Sequence, residues 1–369
     1  MTSNRPANYW DYIRVEDLLG LQQGLEADES KLANEEVMFI TVHQVFELWF
    51  KLVLREIRSA RDLVMAEHVA EPELARLVHS LRRVSTILRV SIPHWEVMET
   101  MSTREFLGFR DKLIPASGFQ SAQLRQIEIL LGLPEDERIS LGVDRTYRDA
   151  LRGHDGSESS ASRRVTAQLA DGPSLREAID RWLARTPLDG VPFDHRDAPA
   201  QLQRFVTAFT KAHAIEVDSA CARASSIAQS TEDRAKLQAR FDAEKQWLVD
   251  FLSPSAADGG AARQRVRAAM LFIETYRELP LLAWPGEVLD TLVELEELFV
   301  IFRQRHARMV ERIIGKRTGT GGSPGVDYLD QTALKYRIFR DLCAIRTIQI
   351  RREAAPALER PQFYEFKNG

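Results

Sequence analysis

From Asn34 to Ala66 the chain reads NEEVMFITVHQVFELWFKLVLREIRSARDLVMA, with neither glycine nor proline. A run of that length without breakers predicts one long helix. Asn34 is a plausible N-cap, and Glu35 and Glu36 fall in the first turn, where they complement the helix dipole. Val37, Phe39, Ile40, Val42, Val45, Phe46, Leu48, Trp49, Phe50, Leu52 and Val53 leave almost no polar face over the first half. That pattern predicts a helix buried in the middle of a bundle. From Arg55 the spacing turns amphipathic and predicts an approach to the surface.

Further helices follow from the same spacing. They are expected over about 73–91, interrupted by Pro93, from about Thr103, over 119–132 with Gly132 as stop, and over 175–185. Longer ones are expected over 201–252, as one helix or as two with a single break, over 286–314 ending at Gly315, and over 327–354. Polar or glycine-rich stretches at 153–163, 253–262 and 319–325 read as flexible loops, and 187–199 is rich in turn formers. Strand-like alternation is almost absent. The expected architecture is all-α: a multi-helix bundle forming a single domain over 1–369, with an N-terminal arm at about 1–20.

Composition removes several function classes. A formal net charge of −4 argues against general affinity for nucleic acid or anionic membrane. Cys221 and Cys343 are far apart and form no CxxC pair, which argues against a disulfide scaffold or a cysteine zinc site and suits a reducing, cytoplasmic setting. The N-terminus lacks an apolar signal core, and no run of about 18 uncharged apolar residues suggests a membrane span.

Two histidines lie among apolar residues on expected helices, His43 in FITVHQVFELW and His306 in FVIFRQRHARMV. Read alone, each is more often a satisfied core histidine than a ligand, although a bundle histidine is a common way to hold haem iron. GTGGSPG at 319–325 fails as a phosphate loop: Gly315-Lys316 is followed by Arg317, and position 310 is Val. It reads as a flexible turn, or as backbone that closes over a ligand. Arg110, crowded by Phe106, Leu107 and Phe109, hints at carboxylate recognition, because an Arg against apolar surface needs an anion.

NEEVMFITVHQVFELWFK, FLGFRDKLIPASGFQSAQLRQIEILLG and FRQRHARMVERIIGKRTGTGGSPGVDYL, with the arm NYWDYIRVEDLLGLQQ, resemble the tryptophan 2,3-dioxygenase family, in the family's order, over about residues 8 to 329. The resemblance implies an all-helical bundle enclosing haem b and a homotetramer built as a dimer of dimers. It implies a reaction in which O2 is inserted across the indole C2–C3 bond of L-tryptophan to give N-formylkynurenine. His306 would be the axial iron ligand, and His43 would contact the indole N–H from the distal side. Phe39 would pack on the indole, Phe106 would form an aromatic wall, Arg110 would bind the carboxylate, and Thr320 would bond the polar end. Trp95, Ser117 and Gly118 would line the haem, and Tyr9 and Tyr12 would reach a neighbouring subunit's site. Trp10-Asp11, Pro324 and the tail PQFYEFKNG depart from the usual pattern. Two other readings stand beside it: a biosynthetic relative that monooxygenates a modified tryptophan, and a gas-sensing or gas-storing haem protein without catalysis. The second has no use for Arg110 and Thr320.

Overall fold

The computed structural model describes residues 8–114, 118–140, 146–153, 155–320 and 325–366. Among them the regular structure is helical, and the one β-bridge joins Leu188 to Val191. The arm holds two short helices, α1 (Tyr9–Tyr12) and α2 (Val15–Leu19), neither with a buried residue.

The long run forms α3 (Asn34–Met65). Asn34 is already helical; Ala33 takes the cap position, and no side chain caps the end. Glu36 is buried and pairs with Lys112 at 2.9 Å, so it ties the helix start to the 110–113 turn. The expectation that the first half is the more buried is not met. Val53, Ile57, Ala60 and Val64 of the second half are fully enclosed, whereas Leu48 and Leu52 are exposed and Phe39 and His43 only half-buried. The reason is spatial: Phe39 and His43 line a cavity. By length and composition α3 could cross a membrane, the one such helix among the described residues. Here it packs against α4 (Glu71–Ser91), α7 (Ala122–Leu131) and α10 (Leu175–Ala184), as the core helix of a bundle does.

After α4, Pro93 opens a 3-10 turn that leads into α5 (Trp95–Met98). The next helix, α6 (Thr103–Phe109), starts with a capping box in which Ser102 and Glu105 satisfy each other's backbone N–H groups. Gly132 stops α7 at φ 107°, where a Cβ would lie 2.9 Å from the Cβ of Arg176. Short α8 (Tyr147–Ala150) and α9 (Ser160–Leu169) follow. The expected loop at 153–163 is therefore shorter than its composition suggests: Ser159 caps α9, with its hydroxyl accepting from the Ser162 N–H.

The span 201–252 is a hairpin of α11 (Ala198–Ser226) and α12 (Thr231–Leu252), broken before Ser230, which caps the second helix. Likewise α13 (Gly260–Thr275) begins inside the expected 253–262 loop. Pro280 opens α14 (Pro280–Ile314), earlier than position 286, because a proline near a helix start removes few internal hydrogen bonds. Beyond Gly315 the chain forms α15 (Val326–Lys335) and α16 (Arg340–Thr347) rather than one helix. Buried Glu296 of α14 accepts the Ile338 and Phe339 N–H groups at 2.5 and 2.6 Å and stabilises the break. The tail folds back. Asp189 accepts the Glu359 and Arg360 N–H groups, while the Tyr364 hydroxyl bonds Gly190 N–H and Pro187 O.

One core dominates. It is built from α3, α4 and α14, with α4 touching both of the others, and it is filled by Leu77, Leu81, Val84, Val288, Leu292 and Leu295. Their three- and four-residue spacing is the periodicity that the sequence carries.

Candidate active site

The cavity is bounded by α3, α5, α6, α7, α14 and α15 together with Gly319 and Thr320, and has a volume of about 190 Å³. Phe39, His43, Phe106, Arg110, Gly118, His306 and Thr320 all line it. Residues up to 281 positions apart in sequence, Phe39 to Thr320, thus meet at one site.

Phe39 and His43 stand one turn apart on α3, with ring centroids 4.1 Å apart. His43 Nδ1 lies 2.7 Å from the Phe39 carbonyl oxygen. That oxygen can only accept, so Nδ1 carries the hydrogen and Nε2 of the neutral ring is an acceptor. Burial pushes the His43 pKa down, against small upward pulls from the Phe39 carbonyl and Glu47. His306 is pushed down to about 4, by burial first and by His43 second. Both rings are therefore neutral near pH 7, and each offers a nitrogen lone pair.

Trp95 does not line the cavity. It is buried behind His306, 4.7 Å away and nearly parallel, and stacks on Phe46 at 4.0 Å on its other side. This sandwich fixes the plane of the His306 ring through α5. Behind it Arg305 makes a bidentate pair with Glu99, at 2.5 and 2.9 Å, joining α14 to the end of α5.

The apolar wall holds Phe39 and Phe106, with centroids 6.3 Å apart, and Phe109 packs against both at 5.6 and 5.4 Å without lining the cavity. Arg110 lies just past α6, at the start of a 3-10 turn rather than within the helix. Its Nη2 donates to the Thr318 carbonyl at 2.7 Å, and its Nε is buried without an acceptor. A guanidinium N–H without an acceptor beside an aromatic slot is chemically ready for an anion.

Ser117 and Pro324 lie outside the described residues. Tyr9 and Tyr12 are 76% and 79% exposed and do not line the cavity of their own chain. Three charged wall residues escaped the sequence reading: Arg125, Glu128 and Arg303. The signal present was an Arg and a Glu three residues apart on the otherwise apolar face of α7.

Comparison with known proteins gives one answer along the chain. The family model for tryptophan 2,3-dioxygenase matches residues 2–349. The tryptophan 2,3-dioxygenase of Sorangium cellulosum is 51% identical over 98% of this chain and 87% of its own length. Tryptophan 2,3-dioxygenase 2 of Ralstonia nicotianae is 47% identical over 98% of both chains. A tryptophan 2,3-dioxygenase-like protein of Xanthomonas campestris is 49% identical over 72% of this chain and 98% of its own. With a helical frame around the cavity, two neutral histidines facing it and this agreement over nearly every residue, the chain belongs to the tryptophan 2,3-dioxygenase family.

Proposed function

We propose that this chain binds haem b through His306 and inserts both atoms of O2 across the C2–C3 bond of L-tryptophan, giving N-formylkynurenine. The observation that carries the reading is the pairing of two neutral imidazoles, from α3 and α14, on one cavity whose wall also holds the unpartnered Nε of Arg110. Membership of the family implies a haem cofactor. The residues present fit one: a neutral imidazole is the form that ligates iron, and the His306 ring stacks on Trp95.

Haem iron supplies O2 binding and the oxidative chemistry. The chain supplies orientation. Phe39 and Phe106 offer an apolar slot for the indole. Arg110 takes the substrate carboxylate, with Thr320 beside it for the polar end. His43 Nε2, bare because Nδ1 is committed to the Phe39 carbonyl, accepts the indole N–H. That hydrogen bond orients the ring without removing its proton, so His43 positions the substrate and need not act as a base. The exposed tyrosines of the arm suit docking on a neighbouring subunit in a homotetramer. Cys221 and Cys343 are unpaired, in keeping with a reducing, cytoplasmic compartment.

The test is the mass of the product formed by the reduced, haem-loaded protein from L-tryptophan and isotopically labelled O2. Incorporation of both labelled atoms supports the reading. One labelled atom would replace it by monooxygenation, and no product would leave a haem-binding protein without this catalysis.

A further inference from the structure

The cavity has a second charged wall that the chemistry above does not use. Arg125 and Glu128 stand one turn apart on α7, and Arg303 stands one turn before His306 on α14; all three are buried. Glu128 accepts from Arg125 Nη1 and Arg138 Nη1, both at 2.8 Å, and from Arg303 Nη2 at 3.3 Å. Arg303 also donates to the Tyr336 carbonyl at 3.2 Å. Arg138 reaches a second carboxylate, Glu135, which is partly exposed and shared with exposed Arg148. Three enclosed guanidiniums therefore share one enclosed carboxylate. Burial would raise the Glu128 pKa, but Arg125, Arg138 and Arg303 together hold it down at about 2, so it stays ionised and the cluster stays net positive. Even so, Arg125 Nε and Arg138 Nη2 are buried without acceptors. A buried excess of positive charge with unmet donors is unfavourable unless another anion joins it.

We propose that this wall binds a carboxylate of the occupant of the cavity, that the carboxylate is a haem propionate, and that Arg125 is its principal donor. The proposal rests on the haem reading above. Arg303 shares α14 with His306, so a cofactor held at His306 is held by the same helix that carries part of this wall. Arg110 and Thr320, from other segments, remain for the amino-acid carboxylate.

The experiment reconstitutes the cofactor-free protein with haem and with haem dimethyl ester, whose propionates are masked, and follows the Soret band. Parent, Arg125→Gln and Arg125→Lys are compared. The parent should bind haem at least about tenfold more tightly than the ester, and Arg125→Gln should close most of that gap by weakening haem alone. Arg125→Lys should restore part of the gap. L-tryptophan affinity, measured on the loaded proteins, should change by less than about threefold in either variant. Equal binding of haem and ester by the parent overturns the proposal, whether or not the variants fold. So does equal weakening of both by Arg125→Gln, which marks a structural role. Weakened L-tryptophan binding with unchanged haem binding assigns the carboxylate to the substrate and also overturns it. A parent that takes up neither cofactor removes the haem reading itself, a result distinct from all of these.

Discussion

Replacing Arg110 by alanine tests whether the cavity reads amino acids. In the free protein the guanidinium has a neutral acceptor, the Thr318 carbonyl, and its Nε has none. A substrate carboxylate would supply the missing acceptor and the missing charge together. Removing one member of a buried charged pair costs roughly 2–5 kcal/mol, so the dissociation constant for L-tryptophan should rise by about 30-fold to several thousandfold. The Thr318 bond is a neutral contact worth about 0.5–1.5 kcal/mol, and its loss loosens the chain leading to Thr320 without reading the ligand. Tryptamine separates the two contributions, because it lacks the carboxylate. It should bind the parent poorly and lose less than about tenfold in Arg110→Ala, a loss of the size set by the Thr318 contact. Haem uptake should stay near the parent level, since the ligand proposed for the iron, His306, lies on α14 and not beside Arg110. The assay is a set of optical titrations of both ligands on both proteins. Parent-like L-tryptophan affinity in the variant would refute the placement of the substrate carboxylate at Arg110.

Other expectations follow from particular contacts. The His306 pKa falls from about 6.5 in the unfolded chain to about 4 in the folded one. The unfolded chain therefore takes up the proton first. Cofactor-free protein should keep its stability above about pH 6.5 and lose on the order of 3 kcal/mol as pH falls towards 4, and urea midpoints of parent and His306→Gln should show the variant less acid-sensitive. Asp189→Ala strips acceptors from the Glu359 and Arg360 N–H groups. It should lower stability by roughly 1–3 kcal/mol in denaturant unfolding while leaving cofactor binding intact; an unchanged midpoint would count against the tail contact. Deleting residues 1–20 removes helices with no buried residue. The melting temperature of an isolated subunit should barely move, whereas sizing should show weaker assembly and turnover should fall; a parent-like tetramer with full turnover would refute docking of the arm.

How much of this was legible depended on the range of the interactions. The long helix α3 could be read because its cause is local, an unbroken run of helix formers and apolar side chains. His43 and His306 stood out as polar residues in apolar helices, and Arg110 as a charge among phenylalanines. What escaped was long-range. Glu128 meets Arg303 175 positions away, and Glu296 caps N–H groups more than forty positions ahead. No periodicity encodes such pairs, because each helix alone shows charges on an apolar face without their distant partners. The α15–α16 break was missed for that reason: the residues at the break read as helical, and the carboxylate that favours the turn belongs to another helix. The serine-rich stretch before α9 failed differently, since serine serves equally as a loop residue and as a cap.

The site also bears on why the first half of α3 is less enclosed than its sequence demands. A helix apolar on nearly every face needs cover all round, yet Phe39 and His43 open onto a cavity while Leu48 and Leu52 face outwards. Around the same cavity, Arg110 and Arg125 keep buried nitrogens without acceptors. An apolar lining and donors without a protein acceptor occur together here, and both gain from a bound partner. A fold optimised as an empty bundle would fill the space and pair the charges. The lining therefore suits an occupant that is apolar in the middle and anionic at its edge. Filling the cavity should therefore raise the unfolding temperature, and a ligand lacking carboxylates should raise it less than one carrying them. Equal stabilisation by both would show that the arginines are satisfied by water, and that the charge around the cavity plays no part in holding its occupant.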